Sequence, residues 1–273
     1  MNKGADTVII FGGSYCIIMS IIMITLSILS ISAYHCEYEE EMMKSPVSYM
    51  LFLIYFRSIE CSDHFSWKHL RISKLPRNGT LILNNMPTEN TATSRTHALA
   101  HAYLVLNIFL LVATLSLFAI FTQKGKNKIR TYALFVLPFL IIFFSTILLD
   151  FIAMIFYIKD DIRHESSIGL MNTLEVRNQR LFLVDFNRIP EHVRTLPSKI
   201  MIVFTTKCVI GFITNIFLLI VIMFSGWEFV DHNKFHYSTS ANELNEISLK
   251  KNKEINLHIS NTIYANHSRQ SIS

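Results

Sequence analysis

Charge is scarce in this sequence. Only 16% of its 273 residues are Asp, Glu, Lys or Arg, against 51% hydrophobic, and the apolar residues come in long blocks instead of the alternation of a soluble core. Four cysteines are too few for a disulfide-dense secreted scaffold, and eight glycines too few for a glycine-rich fibrous chain. The formal charge of +5 is modest, and the long blocks hold almost none of the Lys and Arg, so no nucleic-acid partner is expected. There is no P-loop, no Gly-x-Ser-x-Gly elbow, no His-Glu-x-x-His and no Cys-x-x-Cys. Neither enzymatic activity nor a cofactor is expected. The loops contain no internal repeat.

What is present is hydrophobic length. A helix needs about 20 mostly apolar residues to cross roughly 30 Å of hydrocarbon, where only a helix or a closed barrel satisfies its own backbone. Four blocks qualify, at 8–33, 99–122, 132–158 and 200–224. They predict an all-α membrane protein, a bundle of four transmembrane helices embedded in the lipid bilayer. Ser30 and Ser32 would suit signal cleavage after the first block, but that block is about twice the usual signal core of roughly 7 to 15 residues. It is read as a retained span, with a cleaved signal as the alternative.

Orientation follows from the loop 123–131, which carries Lys124, Lys126, Lys128 and Arg130 and no acid. Basic short loops face the cytosol. Residues 1–7 and 225–273 are then cytosolic, and 34–98 and 159–199 are extracellular. Lys159, Arg163, Arg194 and Lys199 flank the opposite side, but two features of the first outer loop favour the assignment. Asn78-Gly79-Thr80 is an N-glycosylation acceptor, and Cys36 and Cys61 form a pair suited to an oxidising compartment. Asn266 begins a second acceptor in the cytosolic tail, where it should be silent. Tyr34, Tyr103, Tyr132, Tyr157 and Trp227 mark the interfaces. The plasma membrane is the expected location, with an endomembrane as the alternative.

The outer loops carry strand signals. Leu70 and Ile72 alternate with polar residues, 76–79 turn the chain and 80–83 return, with 47–56 as a third strand. Residues 180–186 add a strand from the second loop, so a small extracellular β-sheet is predicted above the bundle. Such a sheet would meet a partner; otherwise the loops only cap the bundle. The tail from His232 is polar and expected to be disordered.

Four spans, a long first outer loop with a cysteine pair and strand signals, a short basic cytosolic turn and a second outer loop with one strand together resemble the claudin and clarin group of tetraspan proteins, over about residues 8–226. At residue level Arg95, in SRTHALAHAYL, is similar to the arginine preceding the second span of claudins. Unlike claudins, the first loop has only Trp67 and two widely spaced cysteines, and the tail lacks a claudin-type scaffold-binding ending. The resemblance implies cell-contact or barrier formation.

Few residues within the spans invite a specific role. Gly12, Cys16 and Ser20 recur every four positions and put small side chains on one helical face for close packing. Pro138 should kink the third span locally. His97 and His101 share a helical face, but a metal needs three or four ligands, so they are read as interfacial. Asp150 and Lys207 are the only full charges deep in the spans, at matched depth in neighbouring helices, with Asn107 in the same layer. An ion pair is expected, with a snorkelling Lys207 and protonated Asp150 as its alternative. The expected function is contact or adhesion, or an accessory subunit, using other membrane proteins or a second copy as partner through the outer loops and the first span. A small channel or transporter component, with Asp150, Lys207 and Asn107 lining a pathway, is the alternative.

Overall fold

The computed structural model describes residues 3–37, 45–60, 84–122, 128–207 and 210–221. The chain divides into two compact units, Met1–Leu219 and Ile220–Ser273. The second lies almost wholly outside the described residues, as do the tail, the hairpin at 70–83, Asn78 and Cys61. The described residues are helical: α1 (Lys3–Tyr34), α2 (Pro46–Tyr55), α3 (Thr91–Thr122), α4 (Lys128–His164), α5 (Ser167–Thr173), α6 (Gln179–Asn187), α7 (Glu191–Thr205) and α8 (210–221).

Four stretches are long and apolar enough to cross a membrane: Ile10–Tyr34, Thr91–Ala119, Val136–His164 and Glu191–Val221. The chain is a multi-pass membrane protein. Its exterior carries the large apolar side chains, among them Phe11, Phe109, Phe144 and Phe217, because the surrounding solvent is hydrocarbon. The seam between helices is where the polar residues sit. One buried row in α3 runs Thr96, Ala100, Tyr103, Asn107, Leu110, Thr114, with Leu99 buried beside it, and one in α4 runs Phe139, Phe143, Thr146, Asp150, Ala153, Tyr157, Asp160, His164, with Ile147 beside it. Steps of four and three alternate in both. This spacing of about 3.5 residues keeps one face toward a neighbour in shallow left-handed packing. α1 packs on α3, α3 on α4 and α4 on α7. α4 runs unbroken through Pro138.

The predicted outer sheet is corrected at two of its strands, and there is no strand among the described residues. Residues 47–55 lie in α2, and Phe56 follows its last turn. Ser45 caps it by accepting from Ser48 N at 3.0 Å, and Pro46 occupies the first turn, where its missing N–H costs nothing. Residues 180–186 lie in α6, where Phe182 and Phe186, one turn apart, are buried. As helices, both runs satisfy their backbone groups internally, with no partner strand needed.

The fourth span, expected to be continuous over 200–224, begins earlier and is interrupted. α7 ends at Thr205, the helix resumes at 210, and Lys207 takes a left-handed φ of 51°. Thr205 and Thr206 turn their hydroxyls back onto the carbonyls of Met201 and Ile202, at 2.9 and 2.8 Å. Such bonds compete with the helix ladder and weaken it locally.

Candidate functional site: two polar layers and a pocket in the bundle seam

The first layer lies near the end capped by α2. Arg95 of α3 pairs with Asp160 of α4 and lies over the rings of Phe156 and Tyr157, at 4.9 and 5.8 Å. The Tyr55 hydroxyl stands 3.2 Å from Ser198 Oγ and 3.4 Å from Asp160 Oδ2, and Ser198 Oγ is 2.6 Å from His164 Nδ1. Thr96 and Tyr157 share a bond of 3.2 Å. Four helices, α2, α3, α4 and α7, therefore meet in one connected network. Burial, and next the Asp160 carboxylate, push the Tyr55 phenol well above 10.0. Burial likewise lowers the Arg57 guanidinium beside α2.

The cap is also tied to α3 from the turn between α5 and α6. Glu175 accepts from Thr91 N at 2.9 Å and from the Thr91 hydroxyl, so a carboxylate sits at the positive end of the α3 dipole. Asn90 accepts from Thr93 N at 2.8 Å, and Thr93 in turn donates to the Ile54 carbonyl at the end of α2.

The second layer lies deeper. Lys207 Nζ is 2.6 Å from Asp150 Oδ2, with side-chain exposures of 3% and 0%. The structure brings these two predicted residues together. The Tyr103 hydroxyl faces the Asp150 carboxylate without hydrogen-bond geometry, and both Tyr103 Oη and Asp150 Oδ1 lack a bonded partner. Asn107 is buried in the same seam, but its amide donates to the Tyr103 carbonyl of its own helix at 2.8 Å. It does not complete the charged pair.

Gly12, Cys16 and Ser20 lie on the buried face of α1. A Cβ on Gly12 would stand 3.2 Å from Leu218, and Tyr15 Oη bonds the Gly211 carbonyl at 3.2 Å, so α1 meets α8 here. His97 stacks on Tyr34 with ring centres 3.8 Å apart, and His101 stands edge-on to it at 4.4 Å. No metal-binding group of three His, Cys, Asp or Glu occurs among the described residues. Cys36 is not a free thiol, whereas Cys16 is free and buried. Sequence reasoning missed Tyr55, Asp160, His164 and Ser198. Asp160 and His164 continue the four-three spacing that begins at Phe139, which was the available signal.

Between the two layers an apolar cavity of about 290 Å³ opens among α1, α2, α3, α4 and α7. Toward the α2 end α1 and α7 do not pack extensively on each other, whereas beyond the break α8 returns to α1. Protein-family models, curated proteins and solved structures yield no match to this chain.

Proposed function

We propose that the chain is a non-enzymatic, claudin-like four-span protein of the plasma membrane that works by contact, as an adhesion protein or accessory subunit, through its outer segments. Both termini face the cytosol, Asn78 is glycosylated and Cys36 is bonded to Cys61 in the same outer loop. The observation that carries this reading is the helical cap. α2, α5 and α6 are held by the Arg95 network and by the Glu175 tie, and they leave Ile168, Leu181 and Val184 exposed outside the spans. A rigid cap with exposed apolar side chains suits partner binding. Mixed cultures test it: the protein should concentrate where two cells touch, and Leu181→Glu with Val184→Glu should abolish that enrichment without reducing surface expression. Undiminished enrichment in the double variant would move the contact surface elsewhere.

A second reading rests on the interrupted fourth span. A half-helix end beside a buried cation and carboxylate is the arrangement by which transporters build sites within the bilayer. In that case Asp150, Lys207 and Asn107 line a pathway in an oligomer. Ion flux into vesicles containing the purified protein, lost in Asp150→Asn, would place this reading first.

A further inference from the structure

We infer that the cavity between α1 and α7 is a retention site for one acyl chain of a glycerophospholipid, drawn from the leaflet at the α2 end and entering sideways from the bilayer. Its place decides the solvent that can reach it. Buried Tyr103, Tyr157 and Phe52 line it, and Leu29 and Phe204, exposed by 59% and 48%, mark its rim. Both rim residues belong to spanning helices, so the opening faces hydrocarbon.

The lining chemistry asks for an apolar occupant. Four hydroxyls of the lining are already committed: Ser27 donates to the Met23 carbonyl at 2.7 Å, Thr205 to the Met201 carbonyl at 2.9 Å, and Thr96 pairs with Tyr157. Glu37, the one ionisable group of the lining apart from the two tyrosines, lies at the α2 end, three residues beyond the end of α1. A headgroup belongs there and a chain terminus at the other end. The lining on α1 runs from Met23 to Ala33, about 15 Å at roughly 1.5 Å per residue, or half the hydrocarbon thickness of about 30 Å. It spans one leaflet.

Width separates the two candidate occupants. A helix with its side chains is about 10–12 Å across, too wide to enter between α1 and α7, so a partner helix could only lie across the mouth of the cavity. A single chain is narrow enough to enter between them. Leaving the space empty would forfeit the dispersion contacts of its lining, a loss that hydrocarbon from the bilayer removes. The break at Lys207 divides the fourth span at this level: α7 before it does not pack extensively on α1, and α8 after it does meet α1.

The test uses the full-length protein in phosphatidylcholine vesicles containing a trace of phosphatidylcholine with a photoreactive acyl chain. Labelled residues should concentrate severalfold on the pocket, at Leu29, Met201 and Phe204, relative to exposed Phe11, Phe144 and Phe217. Ala100→Phe, which projects a ring into the cavity, should remove the pocket labelling and leave the rest. Uniform labelling of the lipid-facing surface in the wild type, which needs no variant to fold, would overturn the site. So would labelling that spares the pocket, since another segment then fills it, or preferential labelling there by a photoreactive sterol.

Discussion

Lys207 Nζ and Asp150 Oδ2 stand 2.6 Å apart in the bundle seam, joining residues 57 positions apart in the chain. Removing one partner of a buried pair strands the other charge, at a cost of about 3–5 kcal/mol. Asp150→Asn or Lys207→Met alone should therefore lower folded yield and melting temperature sharply. The double neutral variant should regain most of the loss. Additive single effects in a double-mutant cycle would show that the two charges do not stabilise one another.

The pairing of Arg95 with Asp160 anchors the cap, so Asp160→Asn should loosen α2 before it loosens the spans. Hydrogen exchange reads this directly. Protection should fall in residues 46–55 while the middle of α4 keeps its own. Equal loss in both would make the pair a support of the whole bundle and not of the cap.

Gly211 and Gly12 offer a matched comparison. A Cβ at Gly211 would fall 2.6 Å from Lys207 Cβ and 3.3 Å from Tyr15 Oη, whereas at Gly12 it meets only Leu218 Cδ2 at 3.2 Å. The Leu218 terminus can shift; the Lys207 Cβ beside its own backbone cannot. Gly211→Ala should cost about 1–3 kcal/mol by overpacking, and Gly12→Ala less than that. Thermal unfolding in detergent decides, and an equal cost for both would refute the close approach at the break.

Tyr55 gives a pH dependence with a definite sign. Its phenol is pushed well above 10.0 by burial first and by Asp160 second, with Ser198 and Arg95 acting the other way. Folding thus favours the neutral phenol. That contribution is complete below pH 10.0 and is lost as pH rises beyond it. Tyr55→Phe should lower stability near neutrality by about 1 kcal/mol through the lost hydrogen bonds, and should flatten the alkaline decline. A decline as steep as the wild type's would assign it to another group.

Topology has its own test at Asn78, which lies outside the described residues. A glycosidase mobility shift is expected in the wild type and should vanish in Asn78→Gln. Labelling of the same loop by an impermeant reagent from the cytosolic side would reverse the orientation.

The sequence by itself determined the number of spans, because crossing hydrocarbon requires a length of apolar residues that is visible in one dimension. It also placed Asp150 and Lys207 at equal depth, since helical rise converts position directly into depth. Only the tertiary structure decided which faces turn inward. In a bilayer the lipid-facing and seam-facing side chains are both apolar, so hydropathy offers little contrast; the inward face is marked by small and polar residues such as Ser20, Asn107 and His164. Short apolar runs were ambiguous for a related reason. Residues 47–55 and 180–186 suit a strand or a helix equally, and they are helical because Ser45 and Pro46 start one and the Phe182–Phe186 spacing buries one face of the other. The break at Lys207 and the cavity above it were not legible at all. They arise from the competition between two threonine hydroxyls and the helix ladder, and from the reach of one lysine to a carboxylate on another helix.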